Sequence, residues 1–411
     1  MEQITLAINN DEVRGVVNLP ASKSIANRLL VMNALAANVI TINNLSQAND
    51  TRLLHSILGE LSFNTTPTVE IDCRDAGTVM RFLTAFFAIT EGKWMLKGTE
   101  RMHQRPIGIL VEKLKELGAD IEYLHNEGYP PLLISGTQLK GGEIRIDAGI
   151  SSQYISALMM IAPYLKNGLT LKLEGKITSK PYISLTAGLM QQCGVRAVFM
   201  GNVVTIPEGK YTSTKITVES DWSAASYWYA VAAVANRAEI KLNGLLPDSL
   251  QGDSVVARLM EEFGVTTAFT NNGVLIKNVG AVTNHFEYDF TDCPDLGPTF
   301  IALCGAMGIP ARFYGLESLA IKESDRTAAL ATELKKVGVV FEQNGEYWQL
   351  IPDKEALNSS KTIEFDTYND HRLAMALSVF SIVLSEIKIN NPQVIIKSYP
   401  TFWDDFMQIM R

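Results

Sequence analysis

Seven basic residues sit in short polar turns rather than in charged runs: Lys23 and Arg28 in SKSIANR, Arg105 in HQRPIG, Lys322 and Arg326 in IKESDR, Arg372 in YNDHR, and Lys397 in IIKSYP. Arg presents a planar fork that fits phosphate or carboxylate, and Lys supplies a compact point charge. A set of both suits small anions. Glu323 stands between Lys322 and Arg326, where a carboxylate among cations could transfer a proton. By spacing alone Glu323 and Arg326 also read as an i,i+3 ion pair on a surface. Several other chemistries have no foothold, because GxxxxGK[ST], a strand-linked GxGxxG, HExxH and GxSxG are all missing.

These residues recur at helix starts. Polar or acidic clusters followed by apolar helices occur at LPASKSIANRLLVMNAL, RDAGTVMRFLTAFF, DAGISSQYISALMM, ESDWSAASYWYAVAA, DFTDCPDLGPTFIALCG and DTYNDHRLAMALSVF. Anchored at Lys23, Gly77, Ser151, Ser223, Gly297 and His371, they are spaced by 54, 74, 72, 74 and 74 residues. A second series places Gly59, Gly118, Gly194, Gly264 and Gly338 at helix ends, each followed by a strand–turn–strand, with steps of 59, 76, 70 and 74. Its members are SILGELSF, KLKELGADIEYLHNEGYPPLLI, LMQQCGVRAVFMGNVVTI, RLMEEFGVTTAFTNNGVLI and ELKKVGVVFEQNGEYWQLI. Gly past a helix supplies the left-handed C′ conformation, and NG-type turns mark hairpins. The two series together predict six copies of one α+β unit. A helix N-terminus exposes unpaired N–H groups and a positive dipole end, so six in register could converge on an anionic ligand if the units pack in two groups of three.

The composition sets limits. The 411 residues are 47% hydrophobic and 19% charged, which fits two or three domains with buried cores. With 36 Lys and Arg against 44 Asp and Glu, the net charge of −8 argues against nucleic acid as a partner. No apolar stretch reaches the roughly 20 residues of a spanning helix; Phe82–Thr90 and Tyr154–Leu165 read as buried core helices. The opening MEQITLAINNDEV lacks the pattern of a signal peptide. Cys73, Cys193, Cys293 and Cys304 show no metal-binding spacing and read as core residues in a reducing cytoplasm.

LPASKSIANR, DAGTVMRFL, RPIG, ISSQYISAL, SKPYISLT, VESDWSAASY, KESDR and YNDHRLAMA resemble, in order, the motifs of the 5-enolpyruvylshikimate-3-phosphate (EPSP) synthase family of enolpyruvyl transferases. The resemblance runs from about Leu19 to Lys397. It implies an α+β (α/β) fold of two similar domains, each of three βαβαββ units, with the active site in the interdomain cleft. Residues 20–219 would form the domain on the shikimate 3-phosphate side, and 1–19 with 220–411 a discontinuous domain on the phosphoenolpyruvate side. The implied reaction transfers the enolpyruvyl group of phosphoenolpyruvate to the 5-hydroxyl of shikimate 3-phosphate, with no metal or organic cofactor.

The resemblance also implies residue roles. Lys23, Ser24, Arg28, Ser151, Ser152, Ser179, Tyr182, Asp295 and Lys322 would hold shikimate 3-phosphate. Lys23, Gly77, Arg105, Gln153, Arg326, Arg372 and Lys397 would surround phosphoenolpyruvate. Asp295 would act as base on the 5-hydroxyl and Glu323 as acid on the methylene carbon, with Lys23 as a third catalytic group. His371 would support its neighbours. The chain departs from the family at Asp75, where Asn is usual, and at Phe82, where Pro is usual. Both bear on phosphoenolpyruvate and on the inhibitor glyphosate. The same resemblance implies a cytoplasmic monomer without membrane or nucleic-acid partners. Two alternatives stand beside it: the sister transferase acting on UDP-N-acetylglucosamine, whose loop usually carries a Cys that Thr90–Ile107 lacks, and a non-catalytic anion-binding protein of the same fold.

Overall fold

Four of the five glycine-plus-turn signals fold as hairpins in the computed structural model, which describes residues 2–8, 12–61, 68–149, 151–280, 283–353 and 361–410. The strands are Asp120–Tyr123 with Leu132–Gly136, Val198–Met200 with Val203–Ile206, Val265–Thr270 with Gly273–Asn278, and Val339–Asn344 with Tyr347–Pro352. Gly118, Gly194, Gly264 and Gly338 enter them at φ of +98°, +89°, +75° and +75°, which a side chain would resist. At the fifth signal the glycine does not end its helix. Gly59 lies inside the helix Asn49–Glu60, where one Gly costs only about 1 kcal/mol, and no polar turn pair follows it. The end of its motif, Ser62 and Phe63, lies outside the described residues, as does Ile150 of ISSQYISAL.

Each hairpin completes a four-stranded sheet. In each, two strands run parallel, and the hairpin's second strand pairs antiparallel with the second of them. Thus Val69–Asp72 runs parallel to Gly92–Lys97, and Lys140–Asp147 to Lys166–Glu174. Glu12–Asn18 likewise runs parallel to Arg237–Asn243, and Phe286–Asp289 to Ala311–Tyr314. Two further repeats lack the hairpin among the described residues. Lys215–Thr217 pairs in parallel with Thr41–Asn43 alone. Ile363–Phe365 pairs in parallel with Ile387–Asn390, and the N-terminal strand Gln3–Leu6 fills the antiparallel position. The six predicted copies are therefore four complete units and two that borrow a strand from a distant part of the chain.

The chain forms two compact units, Met1–Ser22 with Glu219–Arg411 and Lys23–Val218. The discontinuity has a simple topological origin. Glu12–Asn18 and Arg237–Asn243 are adjacent parallel strands, and the crossover between them contains the whole of Lys23–Val218. The outgoing and returning segments are tied where they pass: Ser22 N–H donates to Glu219 O at 2.8 Å and Asp221 N–H to Pro20 O at 2.9 Å. The Glu219 carboxylate, buried there, accepts from Trp222 Nε1, Leu246 N, Ser249 Oγ and Gln251 Nε2. Four donors compensate its lost hydration.

Helices begin at Lys23, Gly77, Ser152, Trp222, Gly297 and His371, each within one residue of its predicted start. Trp222–Val234 and Gly297–Met307 are apolar around nearly their whole circumference and are buried almost throughout. Phe300 of the second helix packs with Phe263, Phe286 and Phe290, at ring-centroid distances of 5.3–5.8 Å. In the other unit Gly77–Ala88 and Ser152–Ile161 hold the equivalent buried positions. All four cysteines are free and buried. No helix among the described residues is long and apolar enough to cross a membrane.

Candidate active site

In the discontinuous unit, four chain segments bring seven charged side chains together. Asp295 lies in the turn Pro294–Leu296, directly ahead of the helix Gly297–Met307. Lys322 and Glu323 lie in the loop ahead of Arg326–Lys335, a helix capped by Asp325, whose side chain accepts from Ala328 N. Arg372 opens the helix His371–Leu377, capped by Asp370. Lys397 ends the turn Pro392–Lys397.

Arg326, only 1% exposed, is the hub. Its Nε donates to Asp370 Oδ2 at 2.7 Å, Nη1 to Asp295 Oδ1 at 3.3 Å, and Nη2 to Glu323 Oε2 at 2.8 Å and Asp370 Oδ1 at 3.3 Å. Arg372 Nη2 reaches the other Asp295 oxygen at 2.7 Å. Lys322 Nζ stands 3.7 Å from Asp295 Oδ1 and Lys397 Nζ 3.8 Å from Glu323 Oε1. The Glu323–Arg326 pair does have i,i+3 spacing, but its Arg326 member is buried and Glu323 is partly buried. Asp370 and Asp295 occupy the remaining corners of the same guanidinium.

The electrostatics follow from this packing. Burial pushes the Asp295 carboxyl up, but Arg372, Lys322 and Arg326 outweigh it and hold the group well below the usual carboxylate range. Burial lowers Arg326, yet Asp370, Glu323 and Asp295 together raise it above its ordinary value. Burial brings Lys322 down against the pull of Asp295. Four cations face three carboxylates, so the cluster carries an excess positive charge suited to a multiply charged anion. Nearby, Asp253 is 3% exposed and its Oδ2 accepts from Ser223 Oγ. Burial, reinforced by Asp295, pushes it up to about 7.

In the unit Lys23–Val218, the other predicted residues lie in or near the first turns of four helices, apart from Arg105, which follows the short turn Met102–Gln104. Lys23 begins Lys23–Leu35, and its Nζ meets Asp50 Oδ2 at 3.1 Å. Arg28 is buried: Nε donates to Thr186 Oγ1 at 2.8 Å, Nη1 to Ser24 O at 2.8 Å and Nη2 to Ser156 Oγ at 3.0 Å. Its Cζ lies 5.4 Å from the Phe82 ring centroid and 5.8 Å from that of Tyr182. Burial lowers the guanidinium to about 10, with Tyr182 opposing. Phe82 thus braces a basic side chain. Ser151 caps Ser152–Ile161 by accepting from Gln153 N at 3.3 Å, and Ser152 is buried. Ser179, also buried, holds a left-handed backbone at φ +55° ahead of Lys180–Gln192, an unusual conformation for a residue with a Cβ.

Gly77 and Arg105 are in close approach. A Cβ on Gly77 would lie 2.7 Å from the Arg105 Cζ, Nη1 and Nη2, so a side chain there would displace the guanidinium. Arg105 Nη1 donates to the backbone oxygen of Asp75 at 3.4 Å, while the Asp75 residue itself is exposed. Gln153 Nε2 donates to Thr78 Oγ1 at 3.2 Å, and its Oε1 accepts from Arg81 Nη1 at 2.7 Å.

The residues predicted for each substrate are drawn from both units. Lys23, Gly77, Arg105 and Gln153 of the phosphoenolpyruvate set lie in Lys23–Val218, whereas Asp295 and Lys322 of the shikimate 3-phosphate set lie in the other. Four residues were not foreseen: Asp50, Arg81, Asp253 and Asp370. Asp50 and Asp370 each sit in or just before the first turn of a helix. An acid at such a position within a basic motif was the available signal.

A family model described as EPSP synthase (3-phosphoshikimate 1-carboxyvinyltransferase) matches residues 8–406. The chain belongs to the EPSP synthase family. It is 46% identical over 396 residues to a 3-phosphoshikimate 1-carboxyvinyltransferase of Bacteroides fragilis, covering 96% of this chain and 95% of the relative. Over 434 residues it is 34% identical to the enzyme of that name from Vibrio cholerae serotype O1, with both chains fully covered. A solved EPSP synthase from Acinetobacter baumannii has the same fold, with a TM-score of 0.81 at 19% identity over 100% of this chain and 98% of that one. The two-domain α+β enolpyruvyl transferase fold is thereby the fold of this chain.

Proposed function

We infer that this chain transfers the enolpyruvyl group of phosphoenolpyruvate to the 5-hydroxyl of shikimate 3-phosphate, as a 3-phosphoshikimate 1-carboxyvinyltransferase of the shikimate pathway. The observation that carries the reading is the joining of Asp295 and Glu323 through one buried guanidinium, that of Arg326. A base and an acid are thereby held at fixed separation inside a cationic cluster.

The steps balance as an addition followed by an elimination. Asp295 takes the proton of the 5-hydroxyl as its oxygen bonds to C2 of phosphoenolpyruvate, and Glu323 delivers a proton to C3. The tetrahedral product then returns a proton from the new methyl group to the Glu323 carboxylate, the C2–O bond to phosphate breaks, and inorganic phosphate leaves. Cation character develops at C2 during protonation, and the Glu323 carboxylate stabilises it. The leaving phosphate is stabilised by Arg372, Lys397 and Arg105 as fixed charges. Arg372, Lys322 and Arg326 hold the Asp295 carboxyl below the usual carboxylate range, which weakens it as a base. An anionic substrate paired with Arg372 and Arg326 would offset their field and raise it, so the base is activated by the substrate it serves.

Shikimate 3-phosphate would be held by Lys23, Ser24, Arg28, Ser179, Tyr182, Asp295 and Lys322, with its phosphate at the Ser151–Ser152 helix start. Phosphoenolpyruvate would meet Lys23, Gly77, Arg105, Gln153, Arg326, Arg372 and Lys397, and glyphosate would compete with it there. The reading includes a cytoplasmic monomer, consistent with four free, buried thiols. Phosphate release from phosphoenolpyruvate should require shikimate 3-phosphate. Release with UDP-N-acetylglucosamine instead, or with neither acceptor, would overturn the assignment.

A further inference from the structure

Arg81 lies one turn into the helix Gly77–Ala88, is 7% exposed, and has no assigned role in the reaction proposed above. Its Nη1 donates to Gln153 Oε1 at 2.7 Å, and its Cζ lies 5.5 Å from the Tyr154 ring centroid, a cation–π distance. The Tyr154 hydroxyl in turn donates to Pro106 O, the residue after Arg105. One guanidinium therefore ties the helix that begins at Gly77, the helix that carries Gln153 and the segment that carries Arg105.

The chemistry of this contact selects an orientation. A primary amide can present either its oxygen or its NH2 group along a given direction, and in water the two differ little. A guanidinium has five N–H donors and no acceptor, so the Gln153 oxygen must face Arg81. The NH2 group is then forced to the opposite side, where Nε2 donates to Thr78 Oγ1 at 3.2 Å, one residue from Gly77. A donor held there suits a carboxylate or phosphate oxygen. An amide oxygen there would repel it.

We propose that Arg81 is a positioning residue that locks the Gln153 amide with its NH2 group toward the Gly77 helix start, making Gln153 an anion donor for phosphoenolpyruvate. The proposal rests on the assignment of phosphoenolpyruvate to this helix start, and the test separates the two. Steady-state kinetics and thermal melting are measured for wild type, Arg81→Met, Gln153→Met and the double variant. Arg81→Met is expected to raise KM for phosphoenolpyruvate by about 20-fold, the loss of one charge-assisted hydrogen bond, with KM for shikimate 3-phosphate within about twofold. In the Gln153→Met background the same change should cost less than about threefold, because Arg81 acts through the amide.

Additive effects in the cycle, or equal losses for both substrates, would overturn the positioning role while leaving the enzymatic assignment standing. No phosphate release by wild type would instead sink the assignment itself. Should Arg81→Met fail to fold, Gln153→Glu carries the test: its carboxylate still pairs with Arg81 but presents only oxygens. It should melt as wild type does and lose phosphoenolpyruvate affinity by about 50-fold or more. A phosphoenolpyruvate KM within about twofold of wild type in that variant would refute the proposal.

Discussion

Gly77→Ala should weaken phosphoenolpyruvate binding without weakening the fold, and the magnitude follows from one close approach. The added Cβ would lie 2.7 Å from three atoms of the Arg105 guanidinium. Ordinary contact begins near 3.4 Å, so the group must retreat by about 0.7 Å. A hydrogen bond of about 2.9 Å from Arg105 to a substrate oxygen would stretch to about 3.6 Å, beyond useful range. Losing a hydrogen bond to a charged group costs roughly 1.5–3 kcal/mol, which converts to about a 10- to 150-fold rise in KM. The fold should tolerate the change, because the obstructing group is the far end of a flexible side chain. Gly77 is also the first residue of a helix, where Ala is preferred by up to about 1 kcal/mol. The assay is steady-state phosphate release with each substrate varied in turn, alongside thermal melting. KM for shikimate 3-phosphate should stay within about twofold, and in an Arg105→Ala background the Gly77→Ala change should add nothing further. A phosphoenolpyruvate KM within about twofold of wild type, or a melting point lower by more than about 5 °C, would refute the reasoning.

Glu323→Gln should leave shikimate 3-phosphate binding nearly intact by calorimetry while cutting turnover by about 100-fold or more; turnover within about threefold of wild type would remove the proton-transfer role. Asp253→Asn should stabilise the protein increasingly as pH rises. The folded carboxyl titrates near 7 against 3.8 for an unperturbed Asp, so wild type forfeits stability from about pH 4 to about pH 7, because only the unfolded chain releases the proton freely. The ceiling is about 4 kcal/mol, and urea unfolding at pH 5 and pH 8 should show the variant's advantage growing from about 1–2 kcal/mol at the lower pH toward that ceiling at the higher. Asp75→Asn removes one exposed negative charge beside Arg105. It should lower KM for phosphoenolpyruvate and the glyphosate concentration for half inhibition by roughly two- to fivefold at low salt, with the gain shrinking at high ionic strength; inhibition curves at two salt concentrations measure this.

Much of the architecture is legible along the chain because it is local. A polar cluster ahead of an apolar run starts a helix wherever it occurs, and so six helix starts fall within one residue of their sequence positions. Gly at a left-handed C′ position followed by a turn containing Asn and Gly specifies a hairpin without help from distant residues, and the signals at Gly118, Gly194, Gly264 and Gly338 all form one. Gly59 instead lies inside the helix Asn49–Glu60, and the residues that follow Leu61 in its motif lie outside the described residues.

Long-range pairing decided the rest. No local signal says that Gln3–Leu6 completes the sheet of Ile387–Asn390, or that Lys215–Thr217 returns beside Thr41–Asn43. The site shows the same division. Its cations were visible as Lys and Arg lodged in polar motifs, but their partners were not. Asp370, Asp50 and Arg81 are separated in sequence from the groups they hold by 44, 27 and 72 residues. Spacing alone made Glu323 and Arg326 a surface pair; the packing of Asp295 and Asp370 on the same buried guanidinium makes it part of one charged cluster. Residue type and short-range spacing determined where charge and helix starts lie. Only the tertiary structure determined which charges share one desolvated space, because that depends on which distant segments pack together.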